Sequence, residues 1–139
     1  MKVIDGTDQI LGRVSSGVAK LLLAGEEVVV INAERLVMTG DLDYLIEKYK
    51  KRRGMKDKST PEHSPHWPRR PDLFVKRIVR GMLPWDKARG RAALKRLRVY
   101  MGSPEVDGER ISIPGAHAEK LNTKYHTVAT LCERLGYAR

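Results

Sequence analysis

Cysteine is almost missing from this chain: Cys132 is the only one, which excludes an intrachain disulfide and any thiolate cluster for zinc. Long apolar runs are missing too. The purely apolar stretches, Val28–Ile31 among them, stop at four residues, far short of the roughly 18 that a membrane-spanning helix needs. The first residues, Met1 to Asp8, contain two acids where a signal peptide would carry its apolar core. These absences predict a soluble, cytosolic chain without a membrane partner. Side-chain amides are confined to Gln9, Asn32 and Asn122, a scarcity of thermolabile residues that suits a heat-resistant protein.

Catalytic signatures are also lacking. Gly6 and Gly12 are separated by five residues and form no G-x-G-x-x-G, and neither G-x-x-x-x-G-K-[ST] nor G-x-S-x-G occurs anywhere. His63 and His66 lie three apart in a proline-rich stretch without a cysteine or an acid cluster, so solvent-facing or base-stacking histidines are expected rather than a zinc site. Cys132 falls on the apolar face of a predicted helix, as a buried structural thiol would. Glu26, Glu27, Asp41 and Asp43 read as surface acids and caps. No enzyme, cofactor, metal or small-molecule substrate is expected.

What the chain has in excess is positive charge, and the charge is localised. Lys and Arg number 27 against 17 acids, a net charge of +10 over 139 residues. Residues 1–47 carry four bases and eight acids, net −4; residues 102–139 are neutral. Residues 48–101 carry eighteen bases and four acids, net +14. Charge added only for solubility would be spread out, so this confinement points to a polyanionic partner. Ten of the eighteen are arginines, which fork two donors onto phosphate and stack on bases. Trp67 and Trp85 fall in the same region, either as hydrophobic anchors or as surfaces for unpaired bases. No helix-turn-helix, zinc-finger or RNP-type signature is present, so RNA shape is favoured over a sequence code.

The length is that of one ordinary domain, and 41% hydrophobic residues suffice for one core. Val3-Ile4 predicts a short strand, and Asp5 to Asp8 a turn that offers helix caps. Leu11, Val14, Val18, Leu21 and Leu22 share one helical face, ended at Gly25. The β-branched run Val28–Ile31 predicts a strand buried on both faces. After a turn at Asn32–Arg35, Leu36-Val37-Met38 adds a short extended or helical piece. Asp41 caps a helix with Leu42, Leu45, Ile46 and Tyr49 on one side. Strand, helix, strand, helix implies right-handed crossovers and a parallel sheet.

Residues 48–72 read differently. Lys50 to Lys58 has no apolar face, and Pro61, Pro65, Pro68 and Pro71 exclude helix and central strand, which predicts an extended basic arm or long loop. A helix is predicted over 72–80, then a second basic helix capped by Asp86. Strands are expected at Val99-Tyr100-Met101 and Ile111-Ser112-Ile113, and a last helix carries Val128, Leu131, Cys132 and Leu135. The candidate RNA-contacting set is Lys50, Lys51, Arg52, Arg53, Lys56, Lys58, His66, Trp67, Arg69, Arg70, Arg77, Arg80, Lys87, Arg89, Arg91, Lys95 and Arg96.

Several segments together resemble a known family. They are Leu11-Gly12-Arg13 with Val18-Ala19-Lys20-Leu21-Leu22, then Val30-Ile31-Asn32-Ala33-Glu34, and above all Arg80-Gly81-Met82-Leu83-Pro84. The last leads through Gly90-Arg91-Ala92-Ala93-Leu94 to Leu97-Arg98-Val99-Tyr100-Met101-Gly102. Across essentially the whole chain this is similar to large-subunit ribosomal protein thirteen. The Arg80–Pro84 form with Arg89-Gly90-Arg91-Ala92-Ala93, and the missing His-Pro-His-type segment after Gly102, resemble its archaeal and eukaryotic branch, with an archaeal lean. The resemblance implies one α/β domain over 1–139, a three-layer α/β/α with a mostly parallel four-stranded sheet. It implies a non-catalytic role in the large subunit, with large-subunit rRNA and neighbouring ribosomal proteins as partners. It carries RNA contact to Arg52, Arg53, Arg69, Arg70, Arg80 and Arg89. An α/β RNA-modifying or nucleotide-processing enzyme is the alternative reading.

Overall fold

Four short, apolar strands set the architecture. In the computed structural model, which describes residues 1–138, β1 (Lys2–Asp5), β2 (Val28–Ile31), β4 (Leu97–Val99) and β5 (Glu109–Ile111) form one sheet in the order β4-β2-β1-β5. Every pairing in it is parallel, with Ile4 opposite Val30 and Val28 opposite Leu97. The crossovers are supplied by α1 (Leu11–Leu23), α2 (Leu42–Gly54), α3 (Pro71–Gly81) and α4 (Ala88–Lys95). β3 (Val37–Thr39) pairs antiparallel with β6 (Tyr125–Thr127), just ahead of α5 (Val128–Arg134).

Strand alternation divides the buried side chains into two faces. Ile4, Val28, Val30 and Leu97 pack with Leu11, Val14, Val18 and Leu22 of α1, Phe74, Val75 and Val79 of α3, and Leu131 and Cys132 of α5. Val3, Val29 and Ile31 point the other way, where the apolar cover is Val106, from the segment after β4. The helical layer that fills the core therefore lies on one face. On the other face, among the described residues, the segment between β4 and β5 runs as coil.

The arm or loop expected over residues 48–72 is helical at its two ends and a loop between them. α2 continues through Lys50, Lys51, Arg52 and Arg53 to Gly54. Lys and Arg are good helix formers, and a cationic last turn faces the negative end of the helix dipole. Tyr49, buried one turn before the end, anchors it. The segment that follows is a folded loop. Asp57 accepts hydrogen bonds from the Ser59 and Thr60 backbone and hydroxyls, which hold its carboxyl below the usual range, and residues Pro61–His63 form a 3-10 turn. Pro71, counted above as a breaker, occupies the first turn of α3, where the missing N–H is no loss.

Smaller corrections concern caps and edges. Ile10, Asp41 and Lys87 are the N-caps of α1, α2 and α4, and none makes a side-chain capping bond. Asp5 instead binds Thr7 and the Asn32 amide; burial raises its pKa, but these donors outweigh it and hold the carboxyl below its ordinary value. β4 begins two residues before the predicted strand and β5 ends two residues before its predicted end, since register follows Val28↔Leu97 and Ile4↔Ile111.

Gly90 shows how tightly the basic helices are seated. A Cβ built there would stand 2.1 Å from the Pro84 carbonyl oxygen, whereas at Gly12, on the exposed side of α1, it would meet nothing within 4 Å. Gly90→Ala is therefore expected to lower unfolding stability in urea by about 3 kcal/mol. Gly12→Ala should raise it by about 0.5–1 kcal/mol. Equal effects of the two would show that α4 is not packed as described.

Candidate nucleic-acid interface

Two aromatic side chains bring the dispersed cations together. Trp67 folds the loop back onto the body, with ring centroids 5.4 Å from Tyr49 on α2 and 6.1 Å from Phe74 on α3. The Arg52 guanidinium lies over both Tyr49, at 5.3 Å, and Trp67, at 5.1 Å. Arg77, one turn before the end of α3, lies 5.0 Å over Trp67. Arg80 lies 4.3 Å over Trp85, just past the turn that ends α3. Trp67 thus acts as a half-buried anchor that also seats two arginines, at distances where cation–π attraction is effective.

Between the loop, α3 and α4 runs an open groove of about 780 Å³, lined by His63, His66, Trp67, Lys76, Arg77, Arg80, Trp85 and Leu94. Beside it, Lys76, Trp85, Arg91 and Lys95 line a second depression of about 470 Å³. Arg53 sits near Arg69 at the end of α2; burial first, then Arg69, lowers its pKa. Burial followed by Arg80 does the same to Arg77. Both remain charged, since a guanidinium starts above 12. Like charges held this close are a standing cost that an anionic partner would relieve.

Carboxylates do little to relieve it. Among the described residues the ion pairs are Lys2–Glu109 and Arg70–Asp72, the latter at 2.9 Å. Of the candidate set, only Arg70 is therefore neutralised by a neighbour. Lys50, Lys51, Lys56, Lys58, Arg69, Lys87, Arg91 and Lys95 are exposed. Arg89 and Arg96 are placed differently. They reach across to the C-terminal end of α1, where Arg89 Nη2 donates to the Leu23 carbonyl at 3.2 Å and Arg96 Nη2 to the Leu22 carbonyl at 2.9 Å. Cations at a helix C-terminus complement the dipole and its unpaired carbonyls.

Lys76 and Trp85 fell outside the candidate set although both border the groove. The available signal was positional: Lys76, Arg77 and Arg80 share the side of α3 opposite Phe74, Val75 and Val79. Trp85 had no periodic signal, because the turn that exposes it lies outside any periodic element; only its place in the basic stretch marked it as an anchor or a stacking surface. Elsewhere, no group of three or more His, Cys, Asp or Glu among the described residues could hold a metal ion. Cys132 is buried, and burial pushes its thiol up to about 12, far from nucleophilic.

A parallel α/β body that presents unneutralised arginines and tryptophans along an open groove, with its one thiol buried and inert, defines a polyanion-binding protein of the nucleic-acid class. The match to known proteins makes the class specific. The family model for ribosomal protein L13 covers residues 1–106. The large ribosomal subunit protein uL13 of Methanococcoides burtonii is 46% identical over 139 residues, 98% of this chain and 98% of its own. Its counterpart in Archaeoglobus fulgidus is 47% identical over 97% of this chain and 87% of its own, and that of Methanocaldococcus jannaschii 44% identical over 98% of each. The chain belongs to the ribosomal protein L13 family, on the archaeal side that its Arg80–Pro84 segment resembles.

The two kinds of arginine separate by experiment. Arg96→Met should cost about 2 kcal/mol in urea unfolding, because a charged donor to a helix-end carbonyl is lost. Arg91→Met, at an exposed site without a protein partner, should stay within about 0.5 kcal/mol of the parent. An Arg96→Met protein as stable as the parent would free Arg96 from its structural role.

Proposed function

We infer that this chain is a structural constituent of the large ribosomal subunit, which binds and stabilises folded large-subunit rRNA and supports subunit assembly. The observation that carries it is the 44–47% identity, over nearly the whole chain, to uL13 proteins, whose name places them in that subunit. The charge distribution agrees: the excess sits in residues 48–101, which build the groove and the cationic end of α2. Neighbouring large-subunit proteins are its other partners, and its place is the cytoplasmic ribosome. Among the described residues no helix is long and apolar enough to cross a membrane. The alternative of an RNA-modifying or nucleotide-processing enzyme gives way to family membership.

Within this reading the whole chain is one domain, with residues 48–72 as a basic, proline-rich stretch within it. Phosphates are met by Lys50, Lys51, Arg52 and Arg53 on α2, Lys56 and Lys58 in the loop, and Arg69, Lys76, Arg77, Arg80, Lys87, Arg91 and Lys95. His66 adds a donor at the groove wall. Arg89 and Arg96 contribute through the fold by holding the end of α1. Arg70, paired with Asp72, must give up that bond to reach phosphate.

Each neutralised phosphate releases counterion, so affinity falls steeply with salt. A filter-binding titration against large-subunit rRNA should give a log–log slope of about −5 to −9, corresponding to roughly six to ten phosphates. A slope near −2 would mean that most of these cations do not touch RNA.

A further inference from the structure

Trp85 has an environment that neither core packing nor simple charge binding explains. It lies outside the Tyr49–Trp67–Phe74 cluster, and 39% of its surface is exposed. A tryptophan that served only as an anchor would hide its ring, as Trp67 does more fully at the same groove. The indole instead borders three adjoining depressions, of about 780, 470 and 300 Å³, and so stands at their junction. The Arg80 guanidinium lies 4.3 Å from its ring centroid, which holds the ring in place and leaves a cation beside its open surface.

The surrounding chemistry specifies what would rest there. Lys76, Arg91 and Lys95 flank the indole, and none has a carboxylate partner among the described residues. Leu94 adds an apolar wall. A flat, open aromatic surface between cations matches a nucleotide: the base stacks on the ring and the phosphates on either side meet the ammonium and guanidinium groups. An acidic peptide would use the cations and gain nothing from the indole. A duplex would use them too, but its bases are stacked inside and cannot reach the ring.

We propose that Trp85, steadied by Arg80, is a stacking platform for one unpaired nucleobase of the bound RNA, with the flanking phosphates on Lys76, Arg91 and Lys95. The proposal rests on the rRNA-binding reading above and adds a site for a single-stranded element within it. Paired RNA regions would engage the remaining cations, while one extruded base would fix the register of the protein on the folded RNA.

The test uses the full chain and three probes: hexaadenylate, an abasic ribose-phosphate hexamer of the same charge, and large-subunit rRNA. Trp85→Leu should weaken hexaadenylate binding about 10-fold, the scale of one base–aromatic stack, and leave the abasic hexamer unchanged. Trp85→Phe should recover most of the loss, which a variant that merely failed to fold could not do. In the parent protein, hexaadenylate should bind more tightly than the abasic hexamer and quench indole fluorescence. Equal binding of the two hexamers by the parent would overturn the proposal while the rRNA arm still reports on the wider reading. Displacement of labelled hexaadenylate by hexaglutamate of matched charge as readily as by unlabelled hexaadenylate would assign the groove to acidic polypeptide and overturn it as well. Absence of rRNA binding by the parent would sink both.

Discussion

The constraint that shapes this molecule is the need to hold eighteen cations within residues 48–101 with only four acids among them. Ion pairing cannot solve that problem, and here it barely contributes, with Arg70–Asp72 the one pair inside the region. The fold uses neutral acceptors instead. Backbone carbonyls at the end of α1 take Arg89 and Arg96, and aromatic faces take Arg52, Arg77 and Arg80. Such partners position a cation without cancelling its charge, so the field remains available to phosphate.

The rest of the structure follows from supplying those acceptors. Trp67 can seat two arginines only because the loop carrying it returns to Tyr49 and Phe74, which lie on different helices. Those helices are held in place by the shared core over Ile4, Val28, Val30 and Leu97. Gly90 lets α4 press against the Pro84 carbonyl, so that Trp85, Arg91 and Lys95 arrive on one side of the groove. The parallel sheet is thus the platform, and the basic helices with their turn are the surface it presents.

Much of this was legible in the residues. Charge partition alone marked the stretch that lines the groove and ends α2, and the runs of α1, β2, α3 and α5 were readable as elements. What escaped was everything decided by contacts distant in sequence. The last turn of α2 has no apolar stripe of its own; it is secured by Tyr49 against Trp67 and by its dipole, so a period-based reading saw an arm. β3 and β6 find each other across most of the chain, and Tyr125-His126-Thr127 shows no alternation to announce a strand. Arg89 and Arg96 look in sequence like any phosphate-binding arginine, and only their distance to the Leu23 and Leu22 carbonyls sets them apart.

If the cations are positioned but not neutralised, the free protein must carry a net repulsion that mobile ions can screen. The direct test is the melting temperature of the isolated chain at pH 7 across sodium chloride from low concentration to about 0.3 M, where screening acts well within the spacing of surface charges. The account predicts that the melting temperature rises with salt over this range. A melting temperature that falls as salt is added would mean that internal ion pairs hold the basic region together, and would contradict it.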